Sequence, residues 1–229
     1  KNRRLWWHTD DDAQKIINHL HYEGKREKCQ VFRITRDMIR EKGACTSGYR
    51  EFCKEFSDDE YPDGVEYQDL LDRCAENGRG AYASWLIDAF GNTTDVRKIE
   101  GDYISEKSIY VCGWLEVTGT IYCREGIKAG MGIKAGMGIE AGMGIEAGKG
   151  IKAGMGIKAG MGIKAGMGIK AGEGIEAEYG IKAGEGIEAG NDWGIYAGTR
   201  AKISSDLRYV VAKTRPRNLM SGEFLEIKE

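Results

Sequence analysis

Residues 151–168 read IKAGMGIKAGMGIKAGMG, which is the unit Ile-Lys-Ala-Gly-Met-Gly three times in succession. The same unit, with variation at two of its places, covers residues 127–190. Ile opens each unit, Lys or Glu follows, and Ala stands third. Gly takes the sixth place and, except at Glu178, the fourth, whereas the fifth place varies. The architecture of most of the chain follows from this repeat.

The spacing of Ile and Ala predicts short strands. In extended backbone, successive side chains point to opposite faces, so Ile and Ala share one face and the charged residue lies on the other. In a helix, a period of six residues would scatter the isoleucines around the axis. Two glycines per unit would each cost roughly 1 kcal/mol in a helix. Short strands that turn at glycines and stack on one another form a β-solenoid.

The varied fifth place indicates which side of each strand faces solvent. It holds Lys149 and Glu173 as well as several Met residues, and an unpaired charge is too costly to bury. We therefore place the fifth position at an outer corner and the Ile and Ala positions in the interior. The glycines are expected at corners that need either a positive φ or a close backbone approach. A looser form of the period begins earlier, at Ile109–Val111, Leu115–Val117 and Ile121–Cys123.

With three units per turn, residues eighteen apart stack in columns. One column reads Lys134, Lys152, Lys170 and Glu188, whereas the columns of the other two faces mix positive and negative charges. Like charges that adjoin in a ladder repel, so the lysine column is a candidate surface for an acidic partner, or else a solvated face. Exposed Met rows are candidate apolar contacts, or else shields for the corners. The candidate partner-binding residues are Lys134, Lys152, Lys170, Met137, Met155, Met143, Met161, Asp58, Asp59 and Glu60.

The chain before the repeat predicts short helices. Thr9 begins a helix that runs to about Tyr22, and residues 29–34 alternate as a strand. Between 35 and 91 we expect four further helices that pack together. Their signals are a Thr35 cap with a stop at Gly43, a start at Thr46 or Ser47, a helix over Val65–Asn77, and a helix over Ala81–Phe90.

After Gly190 the register breaks by two residues. Trp193 is predicted to cover the last rung of the solenoid. Leu207–Ala212 and Phe224–Ile227 are predicted to form a hairpin that caps the end of the rod.

The predicted fold class is α+β, a small N-terminal helical domain followed by a parallel β-helix with three hexapeptide faces per turn and a C-terminal cap. We favour a right-handed coil. The predicted segments are an arm, helix and strand at 1–34, the helical module at 35–95, the β-helix at 96–202 and the β cap at 203–229.

The sequence contains few of the residues and motifs that form catalytic sites. The formal net charge is −2, which argues against broad attraction to nucleic acid or acidic membranes. His19 and His21 do not share a helix face, although with Cys29 they could assemble a metal site. No phosphate-binding glycine loop, membrane span or signal peptide is apparent, and the six cysteines contain no CxxC pair. We predict no enzyme activity, no cofactor, no metal and no membrane partner, with reduced thiols in a cytoplasm.

Two resemblances extend these predictions. The string IEGDYISEKSIYVCGWLEVTGTI, at residues 99–121, resembles the bactofilin domain, a polymer-forming β-helix. ITRDMIREKGACTSGYREFCKEF (34–56) and PDGVEYQDLLDRCAENGRGAYASWLIDAFG (62–91), followed by GIKAGMGIKAG, are similar to a family of uncharacterised phage and prophage proteins. The second resemblance implies a bacterial cytoplasm and a phage context.

The resulting functional prediction is a non-enzymatic phage or prophage protein. A rigid rod with a helical head would bind a host protein or complex, and inhibition of a bacterial defence system is one version. The alternatives are a self-associating structural protein of bactofilin type, with a homodimer among its forms, and a nucleotide- or nucleic-acid-binding protein.

Overall fold

The computed structural model describes residues 32–199 and 209–227, which belong to one compact unit, Val31–Glu229. It confirms the α+β class, with helices followed by a parallel β-solenoid of about seven turns. The predicted helix over Thr9–Tyr22 and the possible metal ligands His19, His21 and Cys29 lie outside the described residues. Within the described part, no helix is long and apolar enough to cross a membrane.

The helical module contains four helices among the described residues. They are α1 (Arg36–Glu41), α2 (Thr46–Glu55), α3 (Tyr67–Glu76) and α4 (Gly80–Phe90). The hydroxyl of Thr35 accepts a hydrogen bond from the backbone N–H of Met38 at 3.3 Å, as a helix cap does. Gly43, Gly78 and Gly91 have positive φ where the chain leaves α1, α3 and α4, so these predicted stops are confirmed.

One helix start differs from the prediction. α2 starts at Thr46, as predicted, and its cap is Cys45, whose Sγ accepts from the N–H of Gly48 at 3.4 Å. The third helix starts at Tyr67 and not at Val65. Val65–Glu66 instead forms strand β2, which pairs antiparallel with β1 (Arg33–Ile34). That pairing joins residues 31 positions apart in the chain, so the local periodicity around Val65 could not reveal it.

A single apolar core joins the four helices. Phe52, Leu71, Leu86 and Ile34 are among its buried members. Tyr67 is buried as well, and its hydroxyl donates to the backbone oxygens of Leu86 at 2.9 Å and Gly91 at 3.2 Å. Burial raises the pKa of this hydroxyl far above its usual range, so the group stays a neutral donor.

The solenoid consists of strands β3 to β22 in three parallel sheets. Sheet 1 contains β3 (Val96–Ile99), β6 (Trp114–Val117), β9 (Ile133–Ala135), β12 (Ile151–Ala153), β15 (Ile169–Ala171) and β18 (Ile187–Glu188). Sheet 2 contains β4 (Tyr103–Ser105), β7 (Ile121–Cys123), β10 (Ile139–Ala141), β13 (Ile157–Ala159), β16 (Ile175–Ala177), β19 (Ile195–Ala197) and β21 (Leu219–Ser221). Sheet 3 contains β5 (Ile109–Val111), β8 (Ile127–Ala129), β11 (Ile145–Ala147), β14 (Ile163–Ala165), β17 (Ile181–Ala183), β20 (Tyr209–Ala212) and β22 (Glu223–Glu226).

The register confirms three units per turn. Ile151 pairs with Ile133 on one side and with Ile169 on the other, and the Lys and Ala positions pair in the same way. The Ile and Ala side chains of the repeat strands are buried along the axis, while the charged residues between them point outwards. Rungs about 4.8 Å apart give the solenoid a length of about 30 Å. The right-handed coil and the domain boundaries stay predictions.

The glycines of the repeat allow the backbones of successive turns to approach closely, and they are not needed for a positive φ. Among the described residues, no glycine between 127 and 190 has a positive φ. A Cβ at the fourth place, as at Gly154, would run into the carbonyl oxygen of Gly136 one turn earlier. A Cβ at the sixth place, as at Gly150, would lie 3.5 Å from the carbonyl oxygen of Gly168, an ordinary contact. The fourth-place glycine is therefore the one that stacking requires.

The helical module is anchored on the first turns of the solenoid. The side-chain amide of Gln68 donates to the backbone oxygen of Tyr110 at 2.8 Å and accepts from the N–H of Cys112 at 3.2 Å. Cys112 is itself part of the helical core. Arg97 on β3 forms an ion pair with Asp72 on α3 at 2.7 Å. These contacts hold α3 against β5 and β3.

The C-terminal residues extend the coil and do not form the predicted hairpin. β20 pairs parallel with β17, and β22 pairs parallel with β20, because Val210 takes the inward place of Ile181 and Phe224 follows it. Trp193 does not cover a last rung. It is half exposed, and β19 stacks on β16 immediately after it.

Candidate functional site: a basic groove along sheet 1

A groove of about 980 Å³ runs along the corner that leads into sheet 1. Gly150, Gly168 and Gly186, which stand at the sixth place of successive turns, lie along it. The fifth-place residues, which include Lys149 and Met167, border it next to these glycines. On the other side stands the outward column of sheet 1, Lys134, Lys152, Lys170 and Glu188. The absence of a Cβ at the glycines makes the groove deep.

Trp114 lines the N-terminal end of the groove. It stands at the sixth place of its turn, where later turns have Gly. Its ring lies over Gly132 so closely that a Cβ there would collide with it. The indole therefore occupies the corner that the glycines leave open in the turns that follow.

The segment 214–218 closes the C-terminal end. It follows β20 of sheet 3 and precedes β21 of sheet 2, so it stands where sheet 1 would have a seventh strand. The side chain of Asn218 holds it in place through hydrogen bonds to the backbone oxygens of Gly190 at 3.0 Å and Asn191 at 3.2 Å. Pro216 is buried, and Arg215 and Arg217 are exposed at the groove. The segment thus adds two cations to the column of lysines.

The groove carries a large excess of positive charge. Its lining has six cationic side chains, Lys134, Lys149, Lys152, Lys170, Arg215 and Arg217, against two acidic ones, Glu185 and Glu188. Lys170 pairs with Glu188 at 2.9 Å. Within residues 32–199 and 209–227, Lys134, Lys149 and Lys152 have no ion-pair partner within 4.0 Å. Lysines adjacent in the ladder, about 4.8 Å apart, raise one another's electrostatic energy.

The corresponding positions of the other two sheets are compensated in larger part. On sheet 3, the Nζ of Lys128 lies 3.0 Å from Asp88 and 4.0 Å from Glu146, and Lys164 lies 2.8 Å from the same Glu146, whereas Lys182 adjoins Lys164 and has no ion-pair partner among the described residues. On sheet 2, the column alternates in sign as Glu140, Lys158 and Glu176. Within the repeat, the columns of sheets 1 and 3 each hold three lysines and one glutamate, so sheet 1 differs from sheet 3 in having its lysines in succession and in the two arginines at its end.

The other candidate residues lie apart from the lysine column. Met137 and Met155 stack at the corner before sheet 2, and Met143 and Met161 stack at the corner before sheet 3. All four are exposed. The acidic stretch Asp58–Glu60 follows α2, where Asp58 forms an ion pair with Arg36 at 2.6 Å. The predicted residues thus do not form one surface.

Sequence reasoning missed three cationic residues of the groove. Lys149 could have been found, because the eighteen-residue register places it between Met131 and Met167 at the same corner. No pattern in the sequence indicated that Arg215 and Arg217 lie at the groove. They lie outside the repeat, and only the folding of 214–218 across the end of sheet 1 brings them to the column.

The site offers no constellation typical of catalysis. Among the described residues there is no cluster of three or more His, Cys, Asp or Glu side chains able to hold a metal ion. What the arrangement provides is a fixed row of amines and guanidinium groups along a partly apolar groove.

The comparisons with known proteins bear on the helical module alone. Residues 26–92 match a family model described as the YdhT N-terminal domain. This region covers α1 to α4, ends before the solenoid, and amounts to less than half of the chain. No curated protein and no solved structure matches the chain significantly. The phage context and the likeness to bactofilins stay predictions.

Proposed function

We propose that the protein is a non-enzymatic binding protein whose basic groove takes an acidic segment of a bacterial host protein or complex. The observation that carries this proposal is the row Lys134, Lys152 and Lys170, of which two lysines lack an acidic partner among the described residues. A solenoid holds such a row in fixed geometry, so a partner does not have to order it. An acidic segment would relieve the repulsion within the column.

The dimensions favour a short extended peptide. Three lysines on successive rungs cover about 10 Å, and an extended segment of five residues spans about 17 Å. An acidic peptide that lies along the groove would contact the three lysines over most of its length and the two arginines at the C-terminal end. Met167 and Trp114 offer apolar contacts along the same path. Because the column is exposed, each ion pair would contribute only about 0.2–1 kcal/mol.

The biological setting is part of the proposal. A phage or prophage protein that acts in the cytoplasm of a bacterium, with inhibition of a defence system as one version, is supported by the resemblance of the sequence and not by the groove. The groove itself supports the coarser proposal of an acidic protein partner.

A defined peptide tests the groove. Binding of a fluorescein-labelled octaglutamate to the full chain would be measured by anisotropy, with octaglutamine and an eight-nucleotide oligothymidylate as comparison ligands. We expect weak binding of octaglutamate, with a Kd of about 1 mM, that weakens further as salt shortens the screening length, which is about 8 Å at 0.15 M. Lys134→Gln/Lys152→Gln/Lys170→Gln should weaken binding by about tenfold.

The control for this triple variant is Lys158→Gln/Lys164→Gln/Lys182→Gln, which removes the same charge from sheets 2 and 3. Binding should stay within about twofold of the wild type, because these lysines lie outside the groove. Equal losses in the two triple variants would mean that the peptide senses net charge alone, and would reject the proposal. Tighter binding of the oligonucleotide than of the peptide would favour the nucleic-acid alternative instead.

Self-association is the second candidate. The terminal strands β21 and β22 each pair with one neighbour among the described strands, and an unpaired strand edge is a template for another chain. Met220 on β21 is exposed. Light scattering over a concentration series decides this candidate: growth into filaments would support it, and a constant small particle would exclude it.

A further inference from the structure

A second concave site lies inside the helical module, away from the groove. It is a cavity of about 270 Å³ enclosed by α2, α3, α4 and the loop before α2. Its walls include Phe52, Leu70, Cys74, Tyr82, Trp85 and Leu86. Gly43 and Cys45, which are exposed, also line it, so one side reaches the surface.

Gly48 of α2 lines the cavity. A Cβ there would lie 3.3 Å from the Sγ of Cys45 and 3.5 Å from the ring of Tyr82, so a side chain at this position would stand against both of these cavity residues. The φ of Gly48 is not positive, so the backbone does not demand glycine. A glycine inside a helix is less stable than alanine by roughly 0.5–1 kcal/mol. A larger side chain at this position would therefore take up space at the cavity.

The rim of the cavity is charged but balanced. Arg79 lies 2.7 Å from Glu51 and 2.7 Å from Glu55, and Arg73 lies 3.4 Å from Glu55. Two arginines and two glutamates thus satisfy one another and leave no net charge for a ligand to neutralise. Burial raises the pKa of the Cys74 thiol to about 11, so this thiol stays neutral at pH 7.

We propose that this cavity binds a small, neutral, ring-containing apolar molecule. An apolar cavity of about 150 Å³ stays dry and takes up benzene, so the larger space here suits a fused two-ring molecule. The aromatic walls of Phe52, Tyr82 and Trp85 offer edge and face contacts to such rings. The charged side chains of the rim already pair with one another, so a charged ligand would find no unpaired charge there. This ligand site is separate from the groove and does not depend on the proposed partner.

Indole serves as the probe because it is neutral, soluble and bicyclic. Titration of the full chain, followed by calorimetry and by saturation-transfer NMR, should show one saturable site with a Kd in the high micromolar range. Gly48→Leu fills the cavity and should weaken binding at least tenfold. Gly48→Ala fills it in part and should weaken binding less. Arg50→Leu adds the same side chain at an exposed position of α2 and should leave the Kd within twofold.

Circular dichroism first establishes that each variant is folded. If Gly48→Leu does not fold, the binding of indole by Gly48→Ala is compared with that of the wild type instead. The proposal fails if wild-type protein shows no saturable binding of indole, or if a folded Gly48→Leu protein binds it as the wild type does. It also fails if N-acetyltryptophanamide binds while free indole does not, because the cavity would then accept the side chain of a protein partner.

Discussion

The fourth-place glycine decides how closely the turns of the solenoid stack. At Gly154 the carbonyl oxygen of Gly136 occupies the space that a Cβ would need, whereas the sixth-place Gly150 has room. Glu178 stands at a fourth place and keeps the backbone hydrogen bond to the previous turn, so this one corner accepts a side chain. The pattern of Ile, Ala and charge predicted the faces of the strands from sequence. A glycine can be required for a positive φ or for close approach to another backbone. Which of the two applies depends on the neighbouring turn of the solenoid, whose position is not apparent from the sequence.

Gly154→Ala is expected to destabilise the solenoid by about 1–3 kcal/mol, the usual cost of overpacking. Gly150→Ala is its matched control and should change the free energy of unfolding by less than about 1 kcal/mol, since its Cβ meets only an ordinary contact. Thermal unfolding followed by circular dichroism measures both. An equal fall in Tm for the two variants would contradict the distinction between the two glycine places.

At the scale of elements, the best predictions came from long, uniform patterns. The strands β8 to β17 and the ends of α1, α3 and α4 agree with the sequence reading. The errors all involve pairing across the chain. Val65 joins β2 because Ile34 lies beside it, and the C-terminal strands β20 and β22 stack in parallel on sheet 3 where an antiparallel hairpin was predicted. Local periodicity contains no information on such partners.

Gln68 tests the anchoring of the helical module on the solenoid. Gln68→Ala removes the donor to the oxygen of Tyr110 and the acceptor for the N–H of Cys112. Each part-buried group that loses its partner should cost about 1–3 kcal/mol. Hydrogen exchange should therefore become faster in α3 and β5, whereas the central strands β11 to β14 should keep their protection.

Glu76→Ala is the control for Gln68→Ala. Glu76 is exposed on the same helix and has a long contact of 3.9 Å with Arg73, so its loss should cost less than about 0.5 kcal/mol. If Gln68→Ala exchanged no faster than Glu76→Ala in α3 and β5, the amide would not be what holds the module to the rod.

At the scale of the whole molecule, one repeat produces three faces of different character. The eighteen-residue register predicted the columns of charge, and the structure shows that Lys128 and Lys164 of sheet 3 have acidic partners, whereas Lys134 and Lys152 of sheet 1 have none among the described residues. The closure of the groove by 214–218 could not be predicted, since it rests on contacts such as Asn218 to Gly190, which lie 28 residues apart. The formal net charge of −2 also gives no indication that sheet 1 carries a positively charged groove.

Quantitative capture from bacterial lysate shows whether the basic groove of sheet 1 binds an acidic protein. Full-length wild type, the sheet 1 triple variant (Lys134→Gln/Lys152→Gln/Lys170→Gln) and the control triple variant (Lys158→Gln/Lys164→Gln/Lys182→Gln) would be compared by mass spectrometry. The groove account predicts at least one acidic protein that the wild type and the control retain and the sheet 1 variant loses. Identical sets of captured proteins for all three would contradict it.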